Sequence, residues 1–381
     1  MCDEMTRKIS LLPLIFGFTF TSIASNSESS ASVDIDGPFE MEASYIADFY
    51  GNFSGGLNTG IGYLGMANLK IGFDIEQAGW WRGGSFFING ASTHGKSPTE
   101  NFVGDFQVVS NIDAGDLIYL HELWYKQVLG NVEMHFGLQD LNAQFVASEN
   151  GGYYLNSSFG IPPVISSNVP VPIFPLTGLG ASLSWAVNDK VLLQGAVFDG
   201  SPTDFDENPY NLKWSINRDE GLLLIAEGHY TTKIAQKQGT YQLGTYYHTG
   251  IVNSFSRNYG FYLLADQTLW QDSDEQKIDF FGQFAFSPGS INTHNLYVGA
   301  GLNYHGLIKG EHSNTLGVAF AHAGFHRAFH KHETLVEAFF NYQLNNSISL
   351  QPDIQFVISP AGLTRKLENA TIGFVRMEIL F

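Results

Sequence analysis

The stretch Ser347-Ile348-Ser349-Leu350-Gln351-Pro352-Asp353-Ile354-Gln355-Phe356-Val357-Ile358 alternates residue by residue. Its even positions are apolar, and its odd positions, as far as Gln355, carry a hydroxyl, an amide or a carboxylate. A β-strand sends successive side chains to opposite faces, so a period of two describes a strand with one face for lipid and one for water. The segment before it repeats the pattern, with Val336, Ala338, Phe340 and Tyr342 set against Glu337, Asn341 and Gln343. Asn345-Asn346 joins the two as a tight turn. The final segment sends Val375, Met377, Ile379 and Phe381 outward, and Arg376 and Glu378 inward.

The same pattern recurs upstream near residues 41–50, 60–75, 82–94, 116–128, 131–139, 178–187, 190–199, 221–231, 238–249, 257–268, 276–287, 294–306 and 314–323. With the three segments above this predicts about 16 strands, an even number of the size that encloses an aqueous channel. Short connections such as Val187-Asn188-Asp189 alternate with long ones at 95–115, 140–177, 200–220 and 359–369. Such alternation belongs to a transmembrane antiparallel β-barrel with short periplasmic turns and long external loops.

Composition agrees. Only 15% of the 381 residues are charged, against about 25% in a soluble domain. Glycine (41) and the aromatics (31 Phe, 17 Tyr, 6 Trp) fill the deficit, as expected of a lipid-exposed barrel with aromatic girdles. Arg7 and Lys8 precede an apolar stretch from Ile9 to Ile23, and Ser22-Ile23-Ala24 fits a small-x-small cleavage site. Residues 1–24 therefore read as an export signal, with residues 25–381 as the barrel domain. The single cysteine, Cys2, falls within the signal, so no disulfide is expected. After Ala24 the longest apolar run is Leu222–Ala226, far below the ~20 residues of a spanning helix. An exported chain of this composition crosses a bilayer as a closed barrel in contact with outer-membrane lipid. The net charge of -18 argues against nucleic acid as a partner, because neutralising phosphates requires a basic surface.

The third external loop, Asp140 to Thr177, is longer than a connection requires, and long loops are usually functional or disordered. Its first half is rich in Asn, Ser and aromatics; its second half holds Pro162, Pro163, Pro170, Pro172 and Pro175. Prolines at that density suit neither a strand nor a helix interior. The expectation is an irregular segment folded into the pore.

A diffusion channel breaks no bond, so its chemistry lies in what the lumen offers a solute. In 116–128, Glu122, Trp124 and Lys126 share a face, opposite Tyr119, Leu123 and Tyr125, with His121 an exception. In 131–139, Glu133, His135 and Gln139 oppose Val132, Met134, Phe136 and Leu138. Carboxylates and amides exchange hydrogen bonds with sugar hydroxyls, and an aromatic face suits the C–H side of a pyranose. Asp140, Asp105 and Asn111 from the loops, with Arg218 and Glu227, complete the candidate pore lining. Selectivity in such a pore comes from diameter, hydrogen-bond lining and electrostatics.

Other signals point less sharply. His322, His326 and His330 are spaced by four with His332 beyond, which on a helix would make a metal ridge, but no Asp, Glu or Cys accompanies them. Asn52-Phe53-Ser54 and Asn156-Ser157-Ser158 match a glycosylation pattern that is frequent by chance. A membrane hydrolase would need a Ser or Asp beside a His on one wall, and His121, His229 and His248 have no readable partner. An adhesin would use long external loops, but the proline-rich third loop favours a constriction. No catalytic residue, metal or cofactor is expected, and self-association is left open.

Several blocks of residues carry a likeness to a known family. The likeness begins at Asp48-Phe49-Tyr50-Gly51-Asn52-Phe53-Ser54-Gly55-Gly56-Leu57 and continues into Tyr63-Leu64-Gly65. It is strongest across Val103-Gly104-Asp105, Val109-Ser110-Asn111-Ile112, Glu122-Leu123-Trp124-Tyr125, Gly137-Leu138-Gln139-Asp140 and Leu155-Asn156-Ser157-Ser158-Phe159-Gly160. Asp219-Glu220-Gly221-Leu222-Leu223 with Glu227, and Leu350-Gln351-Pro352-Asp353-Ile354-Gln355, look like further blocks. In these blocks the chain resembles the carbohydrate-selective porins of the OprB family; the resemblance spans essentially the whole chain after Ala24 and implies a 16-stranded barrel passing small neutral sugars across the outer membrane. It implies no particular sugar.

Overall fold

The computed structural model describes residues 33–34, 37–216, 219–252, 255–273, 275–310, 313–326, 332–360 and 367–381. The expected export signal lies outside these. After a two-residue β1 (Val33–Asp34), sixteen strands follow. They are β2 (Phe39–Gly56), β3 (Gly60–Asp74), β4 (Gly84–Gly95), β5 (Leu117–Leu129), β6 (Val132–Gln139), β7 (Gly178–Asn188), β8 (Val191–Asp199) and β9 (Leu222–Ile234) in the first half. The second half holds β10 (Lys237–Val252), β11 (Phe255–Gln271), β12 (Lys277–Phe286), β13 (His294–His305), β14 (Asn314–Phe325), β15 (His332–Asn345), β16 (Ile348–Ile358) and β17 (Glu368–Leu380).

From β2 onward each strand pairs antiparallel with the next, and β17 returns to β2 with Arg376 opposite Asp48, closing the barrel. Closure satisfies every strand's backbone without leaving an edge in lipid. β2 extends below β17 at the periplasmic end, where β1 takes its free edge through Val33 opposite Met41. Among the described residues no helix is long and apolar enough to cross a membrane.

The decisive stretch behaves as its alternation requires. Pro352, Ile354 and Phe356 are exposed outside; Ser349, Gln351, Asp353 and Gln355 are buried inside. Pro352 has no N–H to give, and the β15–β16 pairing lapses between Phe339–Asp353 and Tyr342–Leu350, where it sits, with the register kept.

One strand departs from simple alternation. On β5 the register slips so that Asn89 faces Glu122 while Gly90 faces Leu120, which leaves His121 as the extra residue of a bulge. The slip moves both Tyr119 and His121 to the inner face, where each is only 3% exposed. Tyr119, expected on the outer face, is therefore a lumen residue, and His121 ceases to be an exception.

Two loops fill the interior. The second loop, 96–116, begins with a turn of π-helix at Thr99–Val103. It crosses close to the end of β2, where Gly56 (φ +70°) is required because a Cβ there would lie 2.6 Å from the Phe102 carbonyl. The third loop, 140–177, winds through two 3-10 turns and two four-residue helices, α1 (Ser157–Gly160) and α2 (Pro163–Ser166), with Pro163 at the helix start that proline tolerates. Its Phe145, Tyr154, Phe159 and Ile165 pack with Phe281, Tyr297 and Phe339 of the wall into an apolar core inside the barrel.

Candidate functional site: the lumen between two loops and the wall

Polar side chains of the inner wall are bound largely to loop backbone. Glu337 accepts from the N–H groups of Leu155 (2.6 Å) and Asn156 (3.2 Å), and Glu333 from those of Phe106 (2.8 Å) and Gln107 (3.0 Å). Asp266 accepts from Asn150 N–H at 2.9 Å, while Gln355 donates to the Val109 carbonyl and Gln283 to that of Phe159. An irregular loop has no ladder to satisfy its amides, and these side chains take the ladder's place.

On the first wall, β17 and β2 are joined by a bidentate pair. Arg376 donates through Nε to Asp48 Oδ1 (2.7 Å) and through Nη2 to Oδ2 (2.8 Å). The second loop docks on this pair: Ser110 Oγ donates to Asp48 Oδ2 (2.7 Å), and Asn111 Oδ1 accepts from Arg376 Nη2 (2.8 Å). Toward the periplasm, Lys70 reaches Glu42 at 2.7 Å.

The second wall is β5 and β6. The bulge brings His121 Nε2 to 3.4 Å from Asp140 Oδ2. Asp140 also accepts from Asn142 N–H (2.8 Å) and Phe174 N–H (3.1 Å), so one carboxylate ties both ends of the third loop together. Glu122 Oε1 accepts from Trp124 Nε1 at 3.1 Å. The Trp124 indole stacks on Phe87 of β4, with ring centroids 4.7 Å apart, and meets His135 of β6 at 4.8 Å. Because β4 and β6 flank β5 on opposite sides, both faces of the indole are taken. Trp124 does face the lumen as expected, but it offers a solute an edge rather than the open stacking platform that alternation alone suggests. Lys126 and His135 converge on Glu133 at 3.8 and 3.3 Å, and His135 also bonds Gln144 of the third loop. Gln139 is buried, donating to the Gly180 carbonyl and accepting from Ser182.

A cleft of about 70 Å³ remains between these walls and the loops. Asn68, Asn89 and Glu122 give it a polar side, Ile46, Met66 and Ile112 an apolar one, and Phe174 of the third loop closes over it. Of the residues expected to line the pore, Glu122 and Asn111 meet here. Trp124, Lys126, Glu133, His135, Gln139 and Asp140 form the adjoining β5–β6 wall. Asp105 and Glu227 do not join them. Asp105 lies buried in the second loop, where desolvation first and the Glu333 carboxylate second push its carboxyl up to about 8. Glu227 holds Val146 N–H (3.0 Å) and His229 Nε2 (2.6 Å). Arg218 lies outside the described residues.

Other sequence signals resolve as follows. His121 and His229 do have acidic partners, Asp140 and Glu227, but inside the lumen. His322 lies on β14 rather than in a loop, with its ring stacked on His332 at 5.4 Å, and His330 lies outside the described residues. No group of three or more His, Cys, Asp or Glu among the described residues could hold a metal ion. Asn52 and Asn156, the two glycosylation-pattern asparagines, are both buried. Sequence reasoning missed Asp48, Glu42, Lys70, Asn68 and Asn89 as lumen residues. Simple alternation from Glu42 along β2, from Lys70 along β3 and from Ser85 along β4 would have found them.

Sixteen closed strands, an apolar outer face, a polar lumen and a long loop folded into it define an outer-membrane porin. The chain belongs to the carbohydrate-selective porins of the OprB family, whose description matches residues 58–381. It is thus an outer-membrane channel for carbohydrate diffusion. Its barrel is similar to the high-pH structure of Pseudomonas putida OprB, with a TM-score of 0.81 at 17% identity over 90% of this chain and 94% of that one. The low-pH structure of the same protein gives 0.62 at 16% identity, over 90% and 93%. A loop L8 deletion mutant of OmpT from Vibrio cholerae gives 0.55 at 8% identity, over 90% and 100%. At such identities these likenesses speak for the fold alone. No curated protein matches the chain.

Proposed function

We propose that sugars pass through the cleft between the second loop, the third loop and β2–β5, with weak selectivity and with cations favoured over anions among small ions. The observation that carries this reading is the two-sided lining. Asn68, Asn89 and Glu122 suit hydroxyls, and Ile46, Met66 and Ile112 suit the C–H face of a ring. Asn89 Oδ1 is buried without a hydrogen-bond partner, an acceptor that a passing hydroxyl would satisfy. Glu42, Glu122 and Glu378 outnumber Lys70 along the cleft, in a chain of net charge -18, so its potential favours cations.

Liposome swelling with sugars of graded size, run against amino acids and small anions, tests the route. Sugars up to a size limit should enter faster than anions of similar radius. A faster entry of anions, together with an anion-selective reversal potential, would refute it.

The mature barrel begins after Ala24, once residues 1–24 are removed on export. In the membrane it associates with further copies through the outer face of β2–β4, where Ala43, Ala47, Gly65 and Ala67 leave a low surface. Tyr45, Tyr63 and His94 hydrogen-bond together on that face. Unheated gel migration and crosslinking read this out.

A further inference from the structure

At the external rim, β5 is without a β6 partner above Leu123, because β6 ends where the third loop departs. The fourth loop, between β8 and β9, fills that window. Leu120 N–H donates to the Tyr210 carbonyl at 3.1 Å, and Asn211 Nδ2 bonds both the Leu120 carbonyl (3.2 Å) and Thr177 Oγ1 (3.1 Å). Asn208 Oδ1 accepts from Leu212 and Lys213 N–H, each at 3.0 Å, so the loop is held as a fixed turn. Phe205 meets Tyr119 edge to face at 5.1 Å.

This loop borders a second, open cavity of about 510 Å³ at the end of β4 and the start of β5. The volume falls in the range of small-molecule sites, roughly 300–1,000 Å³. Its lining divides by chemistry. Phe205, Tyr210, Leu117 and Ile118 are apolar or aromatic; Asp116 and Asp206 are carboxylates, with His94 alongside; among the described residues no Lys or Arg contributes. Asp116 is fixed by accepting Gly95 N–H through Oδ1 at 2.9 Å. Thr93 lines the cavity 2% exposed, and its hydroxyl has no hydrogen-bond partner. A buried hydroxyl without a partner is destabilising unless a ligand meets it.

We infer that this cavity is an outer docking subsite for a neutral sugar, which captures the solute at the external mouth before it enters the cleft. The two carboxylates disfavour anions and accept hydrogen bonds from hydroxyls, while Phe205 and Tyr210 receive the ring's C–H face. The inference rests on the sugar route proposed above, and it adds a sidedness which that route does not require.

The experiment is single-channel recording in a planar bilayer, with maltotriose added to each side of the same channel in turn. The wild type should block faster from one side. Tyr210→Ala should lower that association rate about fivefold, the factor equivalent to about 1 kcal/mol, and leave the other side and the open conductance unchanged. Thr93→Val, which keeps shape and removes the hydroxyl, should act in the same direction and decides the matter should Tyr210→Ala not assemble. Equal rates from the two sides in the wild type, or variants that alter both sides alike or neither, overturn the subsite and leave the route standing. Absence of sugar block from both sides overturns the route and the subsite with it.

Discussion

Arg376 on β17 and Asp48 on β2 face each other across the seam that closes the barrel, joined by two parallel bonds of 2.7 and 2.8 Å. The same two side chains hold the second loop through Asn111 and Ser110. The seam of the cylinder and the loop that shapes the pore therefore meet at one ion pair. Breaking a buried pair from one side leaves a stranded charge and costs about 3–5 kcal/mol. Arg376→Met should lower the heat-modification midpoint markedly and make single-channel current noisier. Asp48→Asn in the same chain should restore much of the midpoint but not the quiet current, because Asn111 still loses the Arg376 donor that anchors it.

The third loop is held from the far wall. Glu337→Gln leaves one oxygen where two now receive Leu155 and Asn156 N–H. It should raise open-channel noise and mean conductance. Deleting Pro162 to Pro175 removes Val164, Ile165 and Val169 from the lumen core and should raise conductance and abolish size selectivity together. A conductance equal to wild type after the deletion would place the narrowest point under the second loop instead.

Trp124 separates packing from solute contact. With Phe87 on one face and His135 on the other, Trp124→Ala opens a gap in the wall. Open conductance should rise while the affinity of sugar block changes little. Asn89→Ala should instead weaken sugar block several-fold, because it removes an unsatisfied acceptor that lines the cleft. The opposite ranking of the two variants would return the sugar contact to the indole.

Asp105 makes the second loop sensitive to pH. Its carboxyl is raised to about 8 by burial and by Glu333, so the protonated form is the one the folded loop prefers. A group raised in this way stabilises fully below the ordinary carboxylate value of about 4, and its contribution is lost as pH rises through the raised value. Loop closure should weaken as pH rises from about 4 to about 8, seen as current noise that grows across that range and levels off above it. Asp105→Asn, neutral at every pH, should flatten that profile.

The alternation of Ser347–Ile358, repeated upstream, was enough to determine the barrel, its sixteen strands and the places of its long loops. A strand's side chains alternate by local geometry, and lipid on one side with water on the other writes that geometry directly into residue type. The inward turn of the third loop was legible in its prolines and aromatics. The face of Tyr119 was not, because the bulge at His121 arises from how β5 pairs with β4, and one extra residue reverses every side chain beyond it. Nor could the sequence show that Glu337 receives Leu155 N–H, a contact between residues 182 apart. Inward carboxylates read alike whether they meet a solute, a cation or a loop amide. Only closing the cylinder brings opposite walls and loops within hydrogen-bond distance, and that decided which polar groups bind the loops and which few still face the path.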